Sequence, residues 1–190
     1  MQRRSFLKGV AAVAPAAGLQ DLIVNRVNAQ TGTSSLPSTA LHVVGAGEDR
    51  SGTPHSLGFS SILFKVPTSE TAGGMFVIEH THLLPGGPPL HLHFNQEEWF
   101  YVMEGEVGFQ VGEQRLHLHA GDSVLAPRRV PHAFSSVGAT PGRMVIAFCP
   151  AGKMEQYFRD AERAKGSAFE AAFMGRYEME LVGPSPFWKS

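Results

Sequence analysis

Between Pro88 and Gly105 the chain reads PPLHLHFNQEEWFYVMEG, which puts His91 and His93 one residue apart and Glu97 and Glu98 a few positions further on, inside an apolar and aromatic stretch. On a β-strand, residues i and i+2 share a face, so both imidazoles point one way and Leu92 the other. Two imidazoles on one face can bind one metal ion; on a solvated strand the same pair carries no chemistry. Phe94-Asn95-Gln96-Glu97 is long enough to bend the chain, so that a strand beginning at Glu98 returns alongside and offers a carboxylate. From there alternation sends Phe100 and Val102 inward and Trp99, Tyr101 and Met103 outward. The choice of Glu98 over Glu97 rests on this register.

Alone, such a pair is a weak signal, and the sequence holds two more, His80/His82 and His117/His119. Leu116 and Leu118 take the inner positions around the latter, which leaves His117 and His119 facing water. His80 and His82 alternate less cleanly with Ile78, Thr81 and Leu83 and read as lining or surface residues. A second stretch, Gly121-Asp122-Ser123-Val124-Leu125-Ala126-Pro127-Arg128-Arg129-Val130-Pro131-His132, runs through a short apolar strand and a proline-bounded turn to a histidine that opens the next strand.

The elements that must position these residues are short. Strand character recurs at Leu41–Val44, Ser60–Val66, Met75–Leu84, Glu98–Met103, Val107–Val111, Arg115–His119, Ser123–Ala126, His132–Val137 and Arg143–Phe148, with Gly and Pro turns between. Many short strands at such spacing mean a sandwich or a barrel. Beyond Pro150 the pattern changes, and Met154–Lys165 and Ser167–Met179 carry apolar residues at helical spacing. The length of 190 residues suits one domain, and 43% hydrophobic with 17% charged residues is ordinary globular composition. A formal net charge of -1 gives no electrostatic reason to expect nucleic acid. The single cysteine, Cys149, excludes an internal disulfide framework and a cysteine-based zinc cluster.

Taken together, H-x-H-(x4)-E-(x6)-G from His91 to Gly105 and G-(x5)-P-(x4)-H from Gly121 to His132 resemble the two signature motifs of the cupin family. Pro85 stands at the first motif's leading glycine with Gly86 beside it; Arg129 and Ser136 stand where glycine and asparagine are common. The resemblance covers Met75 to Pro150, and the tail is similar to single-domain cupins of the quercetin-dioxygenase-like group. It implies an all-β fold, a double-stranded β-helix or jelly roll over 41–150, closed by a C-terminal helical extension over 151–190. It also implies one divalent transition metal held by His91, His93, Glu98 and His132. Three imidazoles and a carboxylate suit Fe, Mn, Ni, Co, Cu or Zn and do not suit Ca or Mg.

On that footing Glu98 is the expected proton-transfer group, since burial in an apolar barrel raises a carboxyl pKa. Phe100, Val102, Phe134 and Ile146 are the expected pocket walls. The expected function is a metal-dependent dioxygenase or other oxidoreductase acting on a small aromatic or enolic substrate. The alternatives are a non-catalytic ligand-binding cupin, an isomerase or lyase acting on a sugar or small acid, and a closed structural zinc site. The outward aromatic row of Trp99, Tyr101 and Met103 leads us to expect a homodimer, or cover from the C-terminal helices.

Arg3-Arg4-Ser5-Phe6-Leu7-Lys8, a weakly apolar run from Gly9 to Leu19 and Val27-Asn28-Ala29 together resemble a twin-arginine export signal over residues 1–29. A flexible lead-in over 30–40 follows. The resemblance implies passage through the twin-arginine machinery as a folded, metal-loaded protein to the bacterial periplasm or beyond. Cleavage before Gln30 leaves 12 basic and 16 acidic residues, a net charge of -4, and no membrane span in the mature chain.

Overall fold

A computed structural model describes residues 41–188. The export signal and lead-in lie outside the described residues. Two antiparallel sheets form a sandwich. The six-stranded sheet runs in the order β1 (His55–Ser56), β2 (Ser61–Val66), β3 (Phe76–Leu83), β10 (Gly142–Cys149), β5 (Glu97–Glu104) and β8 (Ser123–Ala126). The five-stranded sheet runs β11 (Met179–Gly183), β4 (Leu90–His93), β9 (His132–Ser136), β6 (Glu106–Val111) and β7 (Gln114–His119). The expected all-β jelly roll with short C-terminal helices is the fold observed.

Alternation makes the sandwich. Along β5, Glu98, Phe100 and Val102 are buried while Trp99 and Tyr101 stay exposed, as expected from a strand with one face on a core. Phe64, Phe76, Phe100 and Phe109 are fully buried between the sheets with Ile62, Ile78, Leu83, Met144 and Ile146. Rings meet edge to face, as Phe64 does with Phe76 at 5.0 Å and Phe100 with Phe109 at 5.0 Å.

The helix α1 (Met154–Ala164) buries Met154, Tyr157, Phe158 and Ala161, the i, i+3, i+4, i+7 stripe of an amphipathic helix. It is pinned at both ends. Glu155 accepts the Thr68 N–H at 2.8 Å and pairs with Arg159 at 2.7 Å, and Glu162 meets His55 Nδ1 at 3.0 Å.

Two expectations fail. Leu41–Val44 is not a strand, and Leu41 and Val43 remain exposed because no sheet face receives them. The second helix expected over Ser167–Met179 breaks into a 3-10 turn at Lys165–Phe169, a short α2 (Ala171–Met174) and another turn at Gly175–Tyr177. Glu178, in the left-handed region at φ 64°, ends that run, and the chain then returns as β11 to pair with β4. The C-terminal segment therefore supplies a strand as well as helices.

Candidate metal centre

His91 and His93 point into the sandwich from β4, and His91 is the direct cross-strand partner of His132, the first residue of β9. Glu98 reaches in from β5 of the facing sheet. The turn before His132 is tied to the ligand strand, since the Arg129 N–H donates to the His93 carbonyl at 2.7 Å. Arg129 has φ 64°, a conformation in which glycine alone meets no Cβ penalty.

Potential ligand atoms of His91, His93, Glu98 and His132 all lie within 4.8 Å of one another, and all four residues are buried. His91 Nδ1–H donates to the Pro89 carbonyl at 2.9 Å and His132 Nδ1–H to the Val130 carbonyl at 3.0 Å. Those bonds occupy each Nδ1 and leave each Nε2 to take a metal or a proton. Glu98 Oε2 lies 2.8 Å from His132 Nε2 and 3.0 Å from His93 Nε2. Two acceptors that close need a proton or a cation between them. Both ring nitrogens of His93 are buried without a hydrogen-bond partner. The donor set thus fits a metal cation: orphaned imidazole nitrogens and a carboxylate oxygen converge on one point.

The raised pKa expected for Glu98 is corrected. Burial alone pushes the carboxyl up, but His132 and His93 beside it prevail and hold it below the usual carboxylate range. Burial, reinforced by His132 and His93, pushes His91 down to about 3, so it stays neutral. His93 is lowered by burial as well, against the pull of Glu98.

Above the cluster is a cavity of about 30 Å³, room for a water or two. Of the expected wall residues, Phe134 and Ile146 line it, whereas Phe100 and Val102 are buried in the core beneath. Sequence reading missed the rest of the wall: Leu57 and Phe59 from the β1–β2 loop, and Met154, Tyr157, Phe158, Phe169 and Met174 from the C-terminal segment, which closes over the site. The one available signal was the apolar stripe of α1. Leu57 and Phe169 also line an outer cleft of about 340 Å³, so these two side chains stand between the cavity and the surface.

His80, expected as lining or surface, lines the cavity and is fully buried; His82 is exposed. His117 and His119 face water as expected and form an exposed trio with Glu106, whose Oε2 lies 2.9 Å from His117 Nε2. Among the described residues no helix is long and apolar enough to cross a membrane.

Residues 79–148 match the family model described as Cupin domain. An uncharacterized protein of Methanocaldococcus jannaschii is 26% identical over 61 residues, covering 32% of this chain and 49% of that protein. A probable oxidoreductase of Hypocrea virens, virH, is 32% identical over 72 residues, covering 33% of this chain and 33% of that protein. The chain therefore spans half or less of the length of these curated relatives. The crystal structure of an RmlC-like cupin from Shewanella frigidimarina shares the fold, with TM-score 0.50 and 20% identity over 63% of this chain and 99% of that one.

Proposed function

We propose that this protein is a metal-dependent oxidoreductase of the dioxygenase kind, acting on a small aromatic or enolic substrate. The observation that carries the reading is the convergence of three histidines and Glu98 beneath a cavity whose remaining walls are aromatic and aliphatic. His91, His93, Glu98 and His132 would hold one divalent transition metal, whose chemistry when bound is the activation of substrate and dioxygen. The chain's own residues do the rest. Phe59, Phe134, Phe148 and Phe169 offer ring faces to a flat apolar body, and α1 with the segment after it excludes bulk water. Glu98, ionised because its pKa is held low, is in its proton-accepting form throughout neutral pH.

Among the described residues no lysine or arginine lines the cavity, so beyond the metal itself a sugar acid or small carboxylate would meet no cationic side chain to orient it. The likeness to a probable oxidoreductase over 72 residues supports the same class.

Metal analysis and an oxygen electrode test the proposal. His91→Ala, His93→Ala and His132→Ala should each lower bound metal, while His117→Ala and His119→Ala leave it at the wild-type level. Glu98→Gln keeps the volume and removes the charge; metal-saturated, it should lose roughly 10²–10⁴ of its oxygen-dependent turnover. Full metal content in the His132→Ala protein would overturn the site. Normal oxygen uptake by Glu98→Gln would leave Glu98 a structural ligand only.

A further inference from the structure

Among the residues of the cavity wall outside the metal cluster, His80 carries a buried polar atom without a partner. His80 is 1% exposed, and its Nε2 has no hydrogen-bond partner. Its protonation pattern is set from the other side of the ring. Ser60 Oγ–H donates to the Ser61 carbonyl at 3.1 Å, so the same oxygen accepts from His80 Nδ1–H at 2.6 Å. Nε2 is therefore a bare acceptor. The ring plane is fixed by Phe59 stacked at 6.4 Å and 9° and by Phe134 edge-on at 5.7 Å. The Tyr157 hydroxyl, also on the wall, is directed to the Ala168 carbonyl at 3.4 Å. Burial pushes His80 down to about 4, which keeps the ring neutral.

A buried acceptor without a donor costs stability in the empty protein, and a fold keeps such a group where a ligand completes it. We propose that His80 Nε2 accepts a hydrogen bond from a substrate hydroxyl, so that the substrate is a protonated phenol or enol with a flat apolar body and not a carboxylate. This deepens the functional reading above and rests on it. A neutral lone pair accepts from an O–H, whereas a carboxylate oxygen brings it no donor. Because the cavity holds little more than a water, the body of such a substrate enters as Leu57 and Phe169 move aside. His80 is then a positioning and specificity residue, separate from the metal ligands.

Titration calorimetry on the Zn(II)-loaded protein, with catechol and its dimethyl ether veratrole as probes, tests this. His80→Phe keeps the ring contacts with Phe59 and Phe134 and removes the acceptor. It should melt no lower than wild type, hold the same zinc, and bind catechol about tenfold more weakly while its veratrole affinity is unchanged. Ser60→Ala, which frees the ring to change tautomer, should weaken catechol in the same direction by a smaller factor. Equal catechol affinity in wild type and both variants overturns the role of His80 while the functional reading stands, and so does an equal loss for both probes in His80→Phe. Failure of wild type to bind catechol at all removes the aromatic substrate class, and with it this inference.

Discussion

Glu98 shows how neighbours decide a side chain's chemistry. In an apolar wall without partners its burial would favour the neutral acid; against His93 and His132 it is held ionised. The histidines pay the opposite way. His80 and His91 are held at about 4 and about 3 in the folded protein, below the ordinary histidine value. Between pH 6.5 and these values the unfolded chain takes up protons that the folded chain refuses, so acidification favours unfolding. Glu98 adds to the loss at lower pH, since the stability from its depressed pKa is present above the ordinary carboxyl value and fades below it. The metal-free protein should therefore lose stability steadily from pH 6.5 downward, with roughly 3 kcal/mol of the loss from His80 alone. Urea midpoints at pH 7, 6, 5 and 4 should show a shallower pH dependence in His80→Phe. Parallel curves for the two proteins would mean that His80 titrates normally. The four clustered residues were legible in the sequence because period-2 alternation and motif spacing place them. His80 was legible as a lining or surface residue, but its hydrogen-bonding state was not, because that depends on Ser60, which the fold brings to its Nδ1.

At the level of elements, the site depends on how closely β4 approaches β9. Gly87, in the Pro85–Pro89 turn that leads into β4, has φ 66°, and a Cβ there would lie 1.7 Å from the Phe134 carbonyl oxygen on β9. Gly86 also has positive φ, at 125°, but a Cβ on it meets nothing within 4 Å. Gly87→Ala must push β9 away from β4, and with it His132 from His91. It should cost about 3 kcal/mol or more in a urea melt and reduce bound metal. Gly86→Ala should lose stability through backbone strain alone and keep its metal. Comparable metal loss in both would show that the close approach does not govern the cluster. Most of the strands could be read from alternation, and Ser123–Ala126 matches to the residue. β11 could not, because Met179–Gly183 follows directly on a run with helical spacing and its partner β4 lies far upstream. Glu170, extended at φ −78° and ψ 145°, and Gly175 interrupt that run, and the expected helix becomes α2 between two turns.

For the whole molecule, assembly turns on the outer face of the six-stranded sheet. Leu125, Trp99, Ala147 and Val77 are successive cross-strand neighbours on β8, β5, β10 and β3, and they form one apolar row. Tyr101 stacks on Trp99 at 5.9 Å and 21° beside it. The C-terminal helices were one possible cover, but α1 packs at the cavity mouth, and Trp99, Tyr101 and Leu125 remain 39%, 38% and 49% exposed. The neighbouring row contains Glu79, buried beneath Arg143 at 2.6 Å and Lys65 at 3.1 Å, so these charged side chains border the apolar row. An apolar centre with a charged border has the composition of an interface core and rim, and we propose a second copy of the chain as its partner. Sedimentation equilibrium should therefore give a dimer at micromolar concentration. Trp99→Glu, which puts a charge in the middle of the row, should give monomers that keep their metal, because Trp99 lies on the face opposite Glu98. A wild-type protein that sediments as a monomer, with the Trp99 fluorescence of a Trp188→Phe variant freely quenched by iodide, would sink the dimer and leave this aromatic row a solvated surface.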